Sequence, residues 1–581
     1  MSGIGSTLAT IWRLSMPYFR SEDRWGGRIL LGAVIAIELA IVGINVLLNQ
    51  WNNRFYNALQ DHNWDIFVSE LLFFCVLAAS FVLLAVYQLY LNQWLQIRWR
   101  KWLTEHYLGR WLTQSNHYSM QLLGDAADNP DQRIAEDIKM FIELTLSIGI
   151  GLLSAVVTLA SFTVILWGLS SAAPLMLFGV SLNIPGYLFW AALIYAVIGT
   201  FFTHVIGRPL VGLNFNQQRF EADFRFNLVR VRENSEQIAL LNGERAENDR
   251  LLTRFGNVVA NWYGLMSRQK KLIFFTASYN QASVVFPFIM TAPAYFSGAL
   301  QLGGLMQIAS AFGSVQESLS FFVTAYRQLA EWRAVVERLD GFDRSILGAD
   351  IRTGSSAVNV TPHEQARHIT IDDLALQLPT GAPLVTADNV VISSGDRVLL
   401  TGPSGSGKST LFRAIAGKWP FGAGEVAVPK GAAIMLLPQR PYFPVAPLAA
   451  AISYPAEAGT HSRAEITDVL QAVGLPALAT RLDEDAHWNR MLSLGEQQRL
   501  GIARALLQKP DILFLDEATA SLDEPAEETV YRLLKERLPG TTIVSIGHRS
   551  TLRVFHGRWL RLARHGSHHR LEETSNAPAA E

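Results

Sequence analysis

Gly402-Pro403-Ser404-Gly405-Ser406-Gly407-Lys408-Ser409-Thr410 has the spacing G-x-x-x-x-G-K-[ST]. An apolar run, Arg397-Val398-Leu399-Leu400, precedes it, and a helix-like segment, Leu411-Phe412-Arg413-Ala414-Ile415-Ala416, follows. That strand–loop–helix context is what a phosphate-binding loop needs. Gly402, Gly405 and Gly407, with Ser404 and Thr410 in the same loop, let backbone N–H groups close around phosphate oxygens, and the helix N-terminus adds partial positive charge. Lys408 is expected to reach the β- and γ-phosphates of ATP, and the Ser409 hydroxyl to ligate Mg²⁺.

The chain around this loop is of two kinds. Its 581 residues allow two or more domains, and a formal net charge of −1 gives no argument for a nucleic-acid partner. Up to about residue 340 the sequence carries long apolar stretches and most of its 15 Trp; beyond that it has the composition of a soluble α/β domain. Cys75, the one cysteine, permits no intramolecular disulfide and is expected to be a small buried hydrophobe. The amphipathic start, with Arg13 and Arg20, lacks the short apolar core of a cleavable signal peptide.

Six segments are apolar enough to cross a hydrocarbon layer, which takes ~20 helical residues. They lie near 28–48, 68–91, 146–168, 186–206, 273–297 and 305–326, the last amphipathic through Gln307, Ser310, Gln316, Glu317 and Ser318. Loops 93–145 and 207–272 are long and basic, whereas 49–67 offers only Arg54, and 169–185 and 298–304 have no Lys or Arg. The excess of positive charge places both termini and both long loops in the cytoplasm, where ATP is. The long loops read as helices projecting beyond the bilayer, able to dock on a cytoplasmic domain near Gln439. Pro287 and Pro293 suggest kinks in the fifth span, which neighbouring groups can tolerate. Glu38, Glu70, Glu143, Glu317 and His204 fall in or near spans; they either line a hydrophilic cavity or reach the interface.

After residue 366, strand-like runs alternate with helical ones, as in a largely parallel sheet. Asp511-Ile512-Leu513-Phe514-Leu515-Asp516-Glu517 is a buried strand ending in two acids. Asp516 is placed to hold Mg²⁺ and Glu517 to polarise the attacking water. Leu492-Ser493-Leu494-Gly495-Glu496-Gln497-Gln498-Arg499 opens a helix, and a Ser and a Gly at such a start expose amides to an anion.

Together these residues resemble the ATP-binding cassette (ABC) family, and the resemblance covers essentially the whole chain. Leu492–Glu496 is similar to its LSGGQ signature, in which Ser493, Gly495 and Glu496 would cap the γ-phosphate bound by the opposite subunit. Leu494 and Glu496 depart from the family's glycine and glutamine at those positions. Gln439, after Met435-Leu436-Leu437-Pro438, matches the Q-loop glutamine that senses Mg²⁺. Ser521-Leu522-Asp523 matches the D-loop, and His548 the switch histidine. The segment Leu374-Ala375-Leu376-Gln377-Leu378-Pro379 lacks the aromatic that the family usually stacks on adenine, so base discrimination is expected to be weak.

The resemblance implies an exporter-type half-transporter: an α-helical six-span domain followed by an α/β P-loop NTPase domain, paired with a second copy to give two composite ATP sites in a lipid bilayer. The boundaries are an amphipathic segment at 1–27, the membrane domain at 28–340, a linker at 341–366, the cassette at 367–571 and a disordered tail at 572–581. Asn49-Gln50-Trp51-Asn52-Asn53-Arg54-Phe55-Tyr56-Asn57-Ala58-Leu59 looks like the SbmA/BacA group. So do Arg98–Thr104, Asn129–Asp137 and Glu233–Ala239. The cassette points to that group's ATPase-bearing relatives of the YddA and BclA type, which are related to ABC subfamily D. A bacterial inner membrane and uptake of peptides or large hydrophilic solutes such as cobalamin are what this resemblance implies. Export of lipids or amphipathic compounds, a proton-coupled carrier with a regulatory ATPase, and a membrane-anchored sensor remain open.

Overall fold

The computed structural model describes residues 4–122, 129–172, 175–177, 180–182, 184–321, 325–354, 358–363 and 368–574. Parts of the expected linker and most of the expected tail lie outside those residues. The chain divides into two compact units, residues 1–108 with 129–342 and residues 109–128 with 343–581.

The first unit is helical. It begins with α1 (Ile4–Arg20) and α2 (Arg24–Gln60), then α3 (Trp64–Leu112), the short α4 (Asn116–Leu122, grouped with the second unit) and α5 (Ile138–Ala172). It continues with α6 (Tyr187–Glu233), α7 (Glu244–Phe296), α8 (Leu302–Leu319) and α9 (Tyr326–Gly354), whose residues from 343 on are grouped with the second unit. At 1.5 Å per residue, the 47 residues of α6 and 53 of α7 run to about 70 and 80 Å, over twice a hydrocarbon core. Helix α7 runs on through Pro287 and Pro293.

Among the described residues, five helical stretches are long and apolar enough to cross a membrane. The sixth expected span corresponds to α8, which has 18 residues and ends at Leu319; residues 322–324 of that span lie outside the description. Helix α8 packs against α2, α5, α6 and α7. A helix surrounded by protein can carry Gln307 and Gln316, both buried, without presenting them to lipid.

Close approach fixes its place. A Cβ on Gly303 would lie 1.9 Å from the Asn53 carbonyl oxygen, so only glycine lets α8 meet the α2 backbone there. Asn57 Oδ1 accepts from Gly303 N (2.8 Å) and Gln60 Oε1 from Leu302 N (2.7 Å), satisfying amides that a helix start leaves without partners. Further along, Asn49 Nδ2 donates to the Gln307 carbonyl (3.0 Å) and Asn53 Nδ2 to Gln307 Oε1 (2.8 Å). The Asn-rich segment after the first span is therefore a hydrogen-bonded seam between two helices. Arg98–Thr104 has a similar structural use: Arg98 pairs with Asp23, and Trp99 stacks on Tyr18 at 5.7 Å, which anchors α1.

The ionisable residues of the spans separate. Glu38 is buried and accepts from Gln88 Nε2, Glu70 pairs with Arg54 at 3.2 Å, Glu143 pairs with Lys139 at 3.8 Å, and Glu317 and His204 are exposed on the single chain. Cys75 is exposed, not buried as expected. Its helix turns an almost continuous apolar surface outward, so an apolar run there signals hydrocarbon contact and not a protein core.

The second unit is built on an eleven-stranded sheet. Its strands are β1 (Val358–His363), β2 (His368–Gln377), β3 (Pro383–Ala387), β4 (Val390–Ser393), β5 (Arg397–Thr401), β6 (Gly422–Pro429), β7 (Ile434–Leu437), β8 (Ile512–Asp516), β9 (Thr542–Ile546), β10 (Arg558–His565) and β11 (His568–Thr574). The spatial order is β1-β6-β2-β3-β11-β10-β5-β9-β8-β7, with β4 beside β2. The last four are parallel neighbours. Leu513 and Leu515 of β8 enter one hydrophobic cluster, Ile512 and Phe514 the other. A strand covered on both faces is apolar throughout, which is why this run was readable. Residues 109–122 belong here too: Lys418 Nζ donates to Ser115 Oγ (2.8 Å), and Leu122 packs with Val360 and Phe421 against the core. Within this unit, residues 115–122 thus lie near β1 and the segment at Lys418–Trp419.

Candidate functional site

Register brings the motifs together. Ile546 pairs with both Leu400 and Asp516, and Leu515 pairs with Leu437, so the four parallel strands end level. Gly402, His548, Glu517 and Gln439 follow within two residues of those ends. Ligands of parallel α/β sheets bind at this carboxyl edge.

The loop between β5 and α10 (Lys408–Ile415) is built for an anion. Gly402, Gly405 and Gly407 have φ of +145°, +77° and +93°, values that favour glycine. A Cβ on Gly407 would meet Val385 Cγ2 at 2.5 Å, so the loop has no room for another residue there. Lys408 Nζ donates to the Gly402 and Pro403 carbonyls, each at 2.8 Å, which folds its side chain back across the loop. Ser406 Oγ is buried without a partner.

Ser409 Oγ donates to Asp516 Oδ1 at 2.8 Å, joining the loop to the end of β8. Burial pushes the Asp516 carboxyl up from its ordinary range, against the Ser409 hydrogen bond and the nearby Arg413 and Lys408 charges. Burial pushes the Lys408 ammonium down, while Glu517 and Asp516 hold it up. A divalent cation beside Asp516 and a polyanion over Lys408 would relieve both penalties, so these side chains fit a metal–nucleotide complex.

Glu517 has φ +51°, a left-handed conformation that costs a residue with a Cβ about 1–2 kcal/mol. Its backbone N–H reaches the Ile546 carbonyl (3.3 Å), and its carboxylate lies 3.5 Å from His548 Nε2. Arg549, directly after His548, was missed in the sequence. It donates to the Leu522 and Ala520 carbonyls (2.7 and 3.2 Å) and so holds the turn that carries Ser521 and Asp523. Asp523 caps α12 (Glu524–Arg537) through Ala526 N at 3.0 Å.

Ser493 is the N-cap of the helix Leu494–Gln508 in a reciprocal capping box with Glu496. Glu496 Oε2 accepts from Ser493 N (2.9 Å) and Ser493 Oγ (2.7 Å), and these bonds hold its carboxyl below the usual range. Glu and Gln both make such a box, so Glu496 preserves the helix start. Ser493, His548 and Gln439 are exposed, leaving this edge open to solvent.

Two families match the chain: one described as ABC transporter transmembrane region 2, over residues 14–296, and one described as ABC transporter, over 385–520. The inner membrane ABC transporter ATP-binding protein YddA of Escherichia coli is 35% identical, over 92% of this chain and 94% of its own. The chain belongs to the ABC transporter family. It is also similar to the lysosomal cobalamin transporter ABCD4 of mouse, at 26% identity over 96% of this chain and 94% of that one. The structure of a bacterial Atm1-family ABC exporter with ATP bound matches with a TM-score of 0.69 at 18% identity, covering 92% and 93% of the two chains, and shows the shared fold. This transporter therefore joins a helical membrane region to an ATP-binding cassette in one chain, and ABC chemistry couples ATP hydrolysis to transport.

Proposed function

We propose that the protein is a homodimeric half-transporter that uses ATP to take up peptides or large hydrophilic solutes across a bacterial inner membrane, with both termini and the cassette in the cytoplasm. The observation that favours a hydrophilic cargo is Glu38, a carboxylate kept buried within the membrane unit with Gln88 donating to it. Polar side chains kept at such a cost face a bundle interior or water. Similarity to YddA supports the membrane, and similarity to a cobalamin transporter supports the cargo class.

In the ATPase step, Gly402, Ser404, Gly405, Gly407, Lys408 and Thr410 cradle the phosphates. Ser409, Asp516 and Gln439 are the residues that would hold Mg²⁺, which would supply charge neutralisation to the transferring group. Glu517 polarises water, and His548 stands next to it to contact the γ-phosphate. The second copy supplies Ser493, Gly495, Glu496 and Asp523, closing the open edge and excluding water.

Reconstitution in proteoliposomes with the cassettes outside tests the direction. An importer empties preloaded vesicles of labelled peptide or cobalamin when ATP is added outside. ATP-dependent filling, or flux driven by a pH gradient without ATP, would overturn this reading in favour of an exporter or a proton-coupled carrier.

A further inference from the structure

Gln498 lies on α11 (Leu494–Gln508), one turn beyond the Ser493 cap, and only 2% of it is exposed. Its side-chain amide makes three hydrogen bonds, and every partner is the backbone of a different motif. Nε2 donates to the Gln439 carbonyl at 3.0 Å and to the Glu517 carbonyl at 3.4 Å, while Oε1 accepts from Ser521 N at 2.9 Å. One buried amide thus joins the Gln439 loop, the acid that follows β8 and the Ser521–Asp523 turn.

Glu517 needs such support. Its φ of +51° disfavours any residue with a Cβ, so the surrounding structure must hold it. On its amino side, its N–H is tied to the Ile546 carbonyl at 3.3 Å. On its carboxyl side, its carbonyl accepts from Ala520 N (3.1 Å) and from Gln498. Relaxing the peptide toward a right-handed conformation would swing the Cα–Cβ bond and carry the carboxylate away from His548. We propose that Gln498 is a positioning residue for hydrolysis: it holds the Glu517 backbone in its left-handed conformation and locks it in register with the Gln439 loop and the Ser521 turn. The inference rests on the reading of Glu517 as the group that polarises water. It predicts that nucleotide binding, which depends on the loop at 402–410, is largely independent of Gln498.

The test is a double-mutant cycle on the full-length purified protein. Gln498→Met keeps the shape of the side chain and removes all three hydrogen bonds. We expect kcat for ATP hydrolysis to fall about ten-fold or more, with KM and the affinity for a fluorescent ATP analogue within about two-fold. In a Glu517→Gln background the same substitution should change the residual rate by less than about two-fold, because the group it positions is already gone. Equal losses in both backgrounds, or a raised KM with kcat unchanged, would overturn the proposal while leaving Glu517 in its role. Hydrolysis by Glu517→Gln at the parent rate would overturn both. If Gln498→Met cannot be recovered from membranes, Gln498→Glu serves in the same cycle. It keeps the acceptor for Ser521 N but offers no donor to Glu517, so kcat should again fall; an unimpaired kcat overturns the proposal.

Discussion

Gly407→Ala should damage nucleotide binding far more than Gly405→Ala, and the structure says by how much. Both glycines have left-handed backbones, φ +93° and +77°, so an alanine at either carries a strain of about 1–2 kcal/mol. Gly405 has nothing within 4 Å of the added Cβ, so its cost stops there. At Gly407 the Cβ would lie 2.5 Å from Val385 Cγ2 and 3.0 Å from Leu384 Cγ. Val385 is fully buried in the core cluster and cannot retreat, so overpacking adds about 1–3 kcal/mol. At 1.4 kcal/mol per decade, Gly405→Ala should weaken ATP-analogue affinity about 5- to 30-fold, and Gly407→Ala about 30-fold to several thousand-fold. The assay is equilibrium titration of the purified protein with a fluorescent ATP analogue, run beside thermal unfolding. The second measurement catches the case in which the cost falls on folding and not on the bound loop. If Gly407→Ala matches Gly405→Ala in both affinity and Tm, the Val385–Leu384 wall does not confine the loop and the steric argument is wrong.

Glu517→Gln should bind ATP with near-parent affinity yet lose at least ~100-fold in turnover, checked by phosphate release; normal turnover would remove Glu517 from its assigned role. GTP should be hydrolysed with a KM within about ten-fold of that for ATP: the side chain against the loop at Gly407 is the aliphatic Leu384, the segment Leu374–Pro379 has no aromatic, and Trp419 is buried with its indole N–H on the Gln377 carbonyl. A GTP KM far above that range would show another base-reading group. His556 should make the cassette acid-sensitive. Burial pushes its imidazole down to about 4, while Nδ1 donates to the Leu552 carbonyl (2.7 Å) and Nε2 accepts from the Ser545 hydroxyl (2.8 Å). Because the unfolded chain binds the proton more readily, this group's stability is present above about pH 6.5 and is lost as pH falls toward 4, by about 3 kcal/mol in all. Thermal unfolding across that window should slope less for His556→Gln, and an unchanged slope would clear His556 of the effect.

What the sequence made legible divides along a physical line: the distance in sequence between a side chain and what it touches. The phosphate loop, the acids after β8 and the Ser493–Glu496 box are each defined within a few residues, so spacing alone exposes their chemistry. The spans were readable for a related reason, because hydrocarbon demands a continuous apolar run whatever its neighbours are. Helix α8 was harder: its surroundings are protein, and its lodging depends on Gly303 facing Asn53, 250 residues away in sequence. Cys75 misled in the opposite sense, since an apolar run does not say whether lipid or protein covers it. Gln498 is the sharpest case. Its place just after the Ser493–Glu496 box does not say what it holds, because its partners lie 59, 19 and 23 residues away. Nor could the left-handed backbone of Glu517 be foreseen, since no glycine or asparagine marks it. The sequence thus showed which groups perform the chemistry, because phosphate binding is a local property of a loop. It hid which groups hold them in place, because that is a property of strand ends brought level by the sheet.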